Sequence, residues 1–327
     1  VTCFYPLQGY KDPITGGWTS KKQPTKMAVI CGSCLGCRID HSRMWAMRCV
    51  HEASMHEQDG GNCFATLTYR SKLEADAEGH GEYHIPDNWS VTHRHIQLFL
   101  KRLRIKYPER TIKYFVCGEY GNVCSHMVNV TDCDVCNVGR PHYHIILFNH
   151  RFDDLLPIGQ KNGVLYYTSP ELEKVWKYGN VQVGEVNFES AAYIARYSLK
   201  KVNGNRAADH YVVCTPDGAI EPVNPEYIKM STGRKKGEGI GAKFYERYKS
   251  DFFPRDSSPI PGKQAIKKVP RYYEEMFKQS DPALHEQIKA KRLSYKKQNP
   301  EEYTPERLAS KYKVKKAQVS MLKRGLD

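Results

Sequence analysis

No apolar run in these 327 residues comes near the roughly 18 that a membrane-spanning helix needs, which excludes a helical membrane protein. Val1 to Tyr10 lacks the basic start and apolar stretch of a secretory signal, so a soluble protein is expected. The eleven cysteines are odd in number and unevenly spread, unlike a secreted disulfide framework. In a reducing cytosol they should be thiols or metal ligands. Acidic residues are in deficit, 36 against 50 Lys and Arg, for a net charge of +14. A polyanionic partner is therefore expected. The surplus is uneven: Pro261 to Asp327 holds 17 basic and 8 acidic side chains, nine of the fourteen excess charges.

The most informative segment is Gly139-Arg140-Pro141-His142-Tyr143-His144-Ile145-Ile146-Leu147-Phe148. Gly and Pro mark a turn, and the β-branched and aromatic residues after them read as a strand. Strand side chains alternate, so His142 and His144 share one face and Tyr143 takes the other. Two imidazoles so placed can share a metal ion, or form a solvated, hydrogen-bonded pair. Upstream, Thr111 to Tyr120 also reads as a strand, with Glu119 near its end. If the two strands pair as a hairpin, Glu119 lies beside the histidines as a third ligand; otherwise it is a solvated carboxylate. Downstream, Ser190 to Lys201 reads as a helix with Ser190 as N-cap. Tyr193 and Tyr197, four apart, share a helix face with Lys200. Such a pair is either core packing or, given Arg196, Lys200 and Lys201 nearby, a site for a phosphate.

In order along the chain stand Cys31-x-x-Cys34-x-x-Cys37-Arg38, Phe64-Ala65-Thr66-Leu67-Thr68-Tyr69, Gly118-Glu119-Tyr120-Gly121, Arg140-Pro141-His142-Tyr143-His144 and Ala191-Ala192-Tyr193-Ile194-Ala195-Arg196-Tyr197. This order resembles the HUH endonucleases, the nickases of rolling-circle replication. More narrowly it resembles the replication initiators of gokushoviruses, small single-stranded DNA phages, from about residue 30 to about residue 250. The resemblance implies an α+β fold, an antiparallel sheet with helices, read here as lying on one side, and a tyrosine helix packed beneath. It implies that His142, His144 and Glu119 hold Mg²⁺ or Mn²⁺, and that Tyr197 or Tyr193, with Lys200, attacks the DNA. The product would be a 5′-phosphotyrosyl link and a free 3′-hydroxyl for the host polymerase. Implied partners are single-stranded and origin DNA and the host helicase and polymerase, in the cytoplasm of a bacterium. The alternative is a non-catalytic nucleic-acid-binding phage protein. A zinc hydrolase with His-x-His-x-Asp is disfavoured, because position 146 is Ile.

The chain departs from that family between Glu119 and His142, where 22 residues replace a short turn. Cys124, His126, Cys133 and Cys136 lie there, either as a zinc site that stiffens the tip or as free thiols in a disordered one. Cys31, Cys34 and Cys37 read as a zinc knuckle, with Cys3, Cys49 or Cys63 as possible fourth ligand; an iron–sulfur cluster is the other option. Arg38, Arg43 and Arg48 follow on a helix-like stretch and either touch DNA phosphate or form a solvated face. Arg140, Arg196 and Lys201 are further candidates for DNA contact.

The expected organisation is a Cys-rich segment at 1–60, the endonuclease domain at 61–255 and a basic helical tail at 256–327. Expected elements are a central strand at Phe64 to Tyr69 and an amphipathic helix at Thr92 to Lys106 carrying Ile96, Leu98, Leu100, Leu103 and Ile105. Tyr166 to Val183 reads as a short helix and strand, Val212 to Tyr227 as a loop or edge hairpin, and Gly233 to Tyr248 as a loop leading to a helix. In the tail, Thr304 to Val314 and Lys315 to Gly325 read as a helix-turn-helix with its turn near Lys313. Gln318 and Lys323 would then face the DNA major groove. The alternative is a Lys-rich tail that coats phosphates without reading bases.

Overall fold

The computed structural model describes residues 3–321 apart from 71–85, 87, 125, 127, 135, 162–163, 197–201, 203, 205, 215–217 and 234–237. A small antiparallel sheet opens the chain, with β1 (Leu7–Lys11) between β2 (Trp18–Thr19) and β3 (Lys26–Val29). Its register, Leu7 opposite Val29, returns the chain to the start of α1 (Leu35–Ser54). Then come β4 (Asn62–Thr68), α2 (His93–Lys106), β5 (Lys113–Tyr120) and β6 (Pro141–Phe148). β7 (Leu156–Lys161), β8 (Val164–Thr168), α3 (Pro170–Trp176), β9 (Val181–Gly184) and α4 (Phe188–Arg196) follow. After α5 (Arg206–His210), β10 (Val212–Cys214) pairs with β11 (Ile220–Pro222), and β12 (Tyr227–Met230) returns to the main sheet. The last part holds α6 (Ala242–Phe252), the hairpin β13 (Ser258–Ile260) and β14 (Lys263–Ile266), α7 (Arg271–Ser280), α8 (Pro282–Gln298) and α9 (Pro305–Ser320).

The main sheet has seven antiparallel strands in the order β12-β5-β6-β4-β9-β8-β7. The fold is thus α+β, an antiparallel sheet with flanking helices. The helices cover both faces, not one as the sequence suggested. On one face Ala65, Leu67, Val116, Tyr143, Ile145 and Leu147 pack with Ile96, Phe99, Leu100 and Leu103 of α2 and Trp176 of α3. On the other, Phe64, Phe115, Ile146 and Phe148 meet Ala46, Cys49, Val50 and Ala53 of α1 and Ala191 and Ile194 of α4. The reason is visible in β6: its residues 145–148 are apolar without alternation, the signature of a strand buried on both faces.

Other expectations shift in detail. Helical periodicity places Ile96, Phe99, Leu100 and Leu103 on one stripe of α2, and Ile105 falls off it, 67% exposed. α4 begins two residues before Ser190, and Asn187 caps it. The Asn187 side chain accepts from Ser190 N at 2.8 Å, while the Ser190 hydroxyl accepts from Asn187 N at 2.9 Å. Beyond the expected helix and strand of 166–183, the structure adds β7 and β8, and β12 emerges as the edge strand beside β5. The helix after Gly233 is α6, packed with α7 and α8 in a separate core of Phe244, Tyr245, Phe252, Tyr273, Phe277 and Ile288. This core joins α1 through His51, which stacks on Phe244 at 4.2 Å and meets the Tyr273 hydroxyl at 3.0 Å.

The expected turn near Lys313 is helix instead, because α9 runs from Pro305 to Ser320. Lys is a good helix former, and the position lacks the glycine that a left-handed turn residue calls for. Val314, assigned to a small core, is 59% exposed, while Leu308 is buried. Gln318 is exposed on α9, and Lys323 lies outside the described residues.

Ile146 and Leu147 are neighbours that face opposite layers. Ile146→Ala and Leu147→Ala should each cost about 2–5 kcal/mol in urea unfolding. A near-neutral effect of either would mean that its face is not covered.

Candidate metal centre

β5 and β6 pair with Glu119 directly opposite His142 and Cys117 opposite His144. β4 lies on the other side of β6, with Thr66 opposite His144 and Thr68 opposite His142. Side-chain alternation then puts Glu119, His142 and His144 on one face of three central strands. The insert between β5 and β6 does not disturb this register. Gly118 permits close packing there, since a Cβ would lie 2.8 Å from the ring of Tyr227 on β12. Gly139, at the base of the insert, lets two chain segments cross, since a Cβ would meet the Gly121 carbonyl at 2.2 Å.

The Glu119 Oε1 atom is 2.9 Å from His142 Nε2 and 2.8 Å from His144 Nε2. The other ring nitrogens are held from behind. His144 Nδ1 is 2.9 Å from the Thr66 hydroxyl, and His142 Nδ1 is 3.2 Å from the Arg140 carbonyl. A carbonyl only accepts, so His142 Nδ1 carries a proton and its Nε2 is free to present a lone pair. Burial alone would raise the Glu119 carboxyl pKa, but hydrogen bonds with His142 and His144 and their charge hold it well below the usual carboxylate range. Three ligand atoms therefore converge that all become acceptors once the imidazoles are neutral, and only a cation can satisfy them together. Ligands about 2.1 Å from an octahedral ion lie roughly 3 Å apart, which matches the spacing here. Glu119 and His144 are buried and His142 is partly exposed, so the accessible side of the triad is at His142.

Tyr193 on α4 reaches this centre from the layer above: its ring is 5.3 Å from that of His144 and edge-on to it. Tyr197, Lys200 and Lys201 lie outside the described residues. Arg196 closes the described part of α4. Arg38 stands on the first turn of α1, partly buried, and the Arg140 guanidinium donates to the Tyr69 carbonyl. Arg48 serves the fold: its guanidinium is sandwiched 4.1 Å from both the Trp45 and Tyr272 rings and donates to the Ile240 carbonyl at 3.0 Å.

Two cysteine-rich tetrads complete the picture. In the first, Cys3 joins Cys31, Cys34 and Cys37, while Cys49 and Cys63 are buried elsewhere in the core. Its Sγ–Sγ distances include 3.6 Å (Cys3–Cys31), 3.9 Å (Cys3–Cys34) and 4.0 Å (Cys31–Cys37). Thiolates about 2.3 Å from a tetrahedral zinc lie roughly 3.8 Å apart. The sequence left the fourth ligand open because Cys3 comes to the site only through the pairing of β1 with β3. In the second tetrad, His126 Nδ1 lies 3.9 Å from Cys124 Sγ, 3.3 Å from Cys133 Sγ and 3.5 Å from Cys136 Sγ. Both arrangements suggest zinc, and backbone N–H groups point at several of the sulfurs, as at Cys31 Sγ from Cys34 N at 3.3 Å. Sequence reasoning missed the two groups behind the histidines. Thr66 was visible in principle, as the strand residue whose register meets His144.

The family model of the ORF2-type replication-associated proteins matches residues 62–202, which span β4 to the end of the tyrosine segment. The replication-associated protein ORF2 of Spiroplasma virus 4 is 32% identical over 274 residues, covering 81% of this chain and 73% of that protein. The chain belongs to this family of phage replication-associated proteins. Another relative, the replication-associated protein VP4 of Bdellovibrio phage phiMH2K, is 29% identical over 298 residues, covering 86% of this chain and 78% of its own. A third, the replication-associated protein ORF4 of Chlamydia phage 1, is 30% identical over 180 residues, covering 52% of this chain and 38% of its own. No solved structure matches the chain. The triad and Tyr193 fall within the part shared with the family model; Cys3, Cys31, Cys34 and Cys37 precede it. Among the described residues, no helix is long and apolar enough to cross a membrane.

Native mass spectrometry of this phage replication protein should find two zinc ions per chain. Cys31→Ser and Cys133→Ser should each remove one, and retention of both ions by either variant would disprove the corresponding tetrad.

Proposed function

We propose that this protein nicks and rejoins single-stranded DNA at the origin of a circular phage genome, initiating rolling-circle replication. The observation that carries the reading is the convergence of Glu119, His142 and His144 beside a tyrosine helix. A divalent ion bound by these three side chains supplies positive charge to a scissile phosphate oxygen and so stabilises the transition state. Two imidazole ligands favour Mn²⁺ over Mg²⁺ on donor chemistry alone.

The chain's own groups supply the rest. A tyrosine hydroxyl ionises near pH 10, so it is a weak nucleophile until a neighbouring cation helps it shed its proton. Tyr197, with Lys200 one turn on, has that neighbour. Its oxygen attacks phosphorus, the bond to the 3′-oxygen breaks, and the 3′-oxygen takes up a proton. The products are a 5′-phosphotyrosyl ester and a free 3′-hydroxyl that a host polymerase extends behind a host helicase, in the bacterial cytoplasm. Because the ester keeps the bond energy, Tyr193 can cut again while the first end is rejoined. Arg38, Arg140, Arg196 and Lys201 contribute phosphate contacts near the centre. The basic tail of residues 256–327, with Gln318 and Lys323, adds affinity for origin DNA. Most binding strength then comes from phosphate neutralisation away from the triad.

The test is a denaturing gel of the protein with end-labelled single-stranded origin DNA and Mn²⁺. A covalent protein–DNA adduct is expected. Tyr197→Phe should lose most first cleavage, and Tyr193→Phe should mainly impair rejoining. His142→Ala and His144→Ala should cut cleavage to below about one hundredth of wild type while single-strand binding stays nearly intact. Tight binding with no adduct in the wild type would select a non-catalytic binder, and full activity in the double Phe variant would exclude the tyrosine mechanism.

A further inference from the structure

The second tetrad does more than close its own loop. Cys136 Sγ accepts the backbone N–H of Cys214 on β10 at 3.5 Å. Its neighbour Asn137 donates from the backbone to the Val212 carbonyl at 3.4 Å and from its side chain to the Asp209 carbonyl at 2.8 Å. Cys124, Cys136, Val138, Tyr211, Val213 and Cys214 belong to one buried cluster. The insert that follows Glu119 is thus fastened to residues 209–214, which come just after the tyrosine segment.

Tyr211 extends this fastening in two directions. Its hydroxyl accepts the backbone N–H of Val202 at 2.9 Å and donates to the buried carboxylate of Glu226. Burial and the Glu226 carboxylate push the Tyr211 pKa above its ordinary value, so the hydroxyl keeps the proton it donates. Val202 directly follows Lys201, and Glu226 directly precedes Tyr227, which pairs with Gly118 next to Glu119. One hydrogen-bonded chain therefore runs from the end of the tyrosine segment to the strand that bears the triad carboxylate.

We propose that the Cys124–His126–Cys133–Cys136 tetrad, when it holds zinc, acts with Tyr211 and Glu226 as a staple that positions the tyrosine segment, residues 193–202, against the Glu119–His142–His144 centre. Tyr211 and Glu226 are positioning residues, acting through Val202 and β12 and not on the DNA. The proposal rests on the nickase reading for its catalytic consequence, but not for the staple itself. Geometry gives the reason for such a device. A nucleophile one turn beyond Tyr193 must meet a phosphate within a few tenths of an ångström, and a misplacement of about 1 Å costs on the order of a hundredfold in rate.

Hydrogen–deuterium exchange of the full-length, zinc-loaded protein tests it. In Cys133→Ser and in Tyr211→Phe, peptides spanning 197–214 should exchange about tenfold faster than in wild type. Cys133→His, which keeps four ligands, should restore slow exchange, and Cys31→Ser should leave these peptides unchanged. Tyr211→Phe removes one hydroxyl and keeps the core packing, so it stands if Cys133→Ser fails to fold. In Tyr211→Phe the adduct-forming rate should fall at least about tenfold, with Mn²⁺ affinity and single-strand affinity within about threefold of wild type. Unchanged exchange at 197–214 in Tyr211→Phe, or a tetrad that takes up no zinc, overturns the staple. If exchange responds as expected while the wild type forms no adduct, the staple holds and the nickase reading falls.

Discussion

Everything at the centre of this protein depends on one carboxylate oxygen with two imidazole nitrogens 2.9 and 2.8 Å away. Such a cluster is unfavourable without a positive charge, since burial strips water from Glu119 and His144. The fold meets that cost by fixing all three groups from behind. Backbone register places Glu119 opposite His142, the Thr66 hydroxyl backs one ring and the Arg140 carbonyl the other. The apolar stretch 145–148 on β6 and helices on both sheet faces keep those strands from shifting. A slip of one residue would turn every ligand to the wrong face.

The two thiol-rich tetrads do a related job where apolar residues are few. The N-terminal sheet is largely exposed, and the insert of 121–140 carries little core of its own. A structural zinc contributes about 10–16 kcal/mol of apparent binding energy, more than a handful of partly buried side chains can. One tetrad anchors the start of α1, the helix that covers the triad's face of the sheet. The other anchors the insert between the triad's two strands. Both therefore brace the centre from its ends.

Much of this was legible in the residues alone. The alternation in His142-Tyr143-His144 and the position of Glu119 require only strand periodicity and a hairpin, and the long insert preserved that pairing. The tetrad in the insert was legible from Cys-x-x-Cys spacing. Cys3 was one of three possibilities, because its approach depends on a β1–β3 pairing with no strong local signal. The one-sided sheet failed for a physical reason: Ile145-Ile146-Leu147-Phe148 is apolar at every position and needs cover on both faces. The tail was misdivided because an amphipathic pattern does not show where a long helix turns, and Lys313 offers no break. Periodicity marks faces well and long-range neighbours poorly.

The most direct test of the central claim is a crystal soaked in Mn²⁺ and measured at the manganese absorption edge. The account predicts one strong anomalous peak about 2.1 Å from Glu119 Oε1, His142 Nε2 and His144 Nε2, with the His142 side open to solvent. Manganese ordered elsewhere on the chain, with no density between these three atoms, would contradict it.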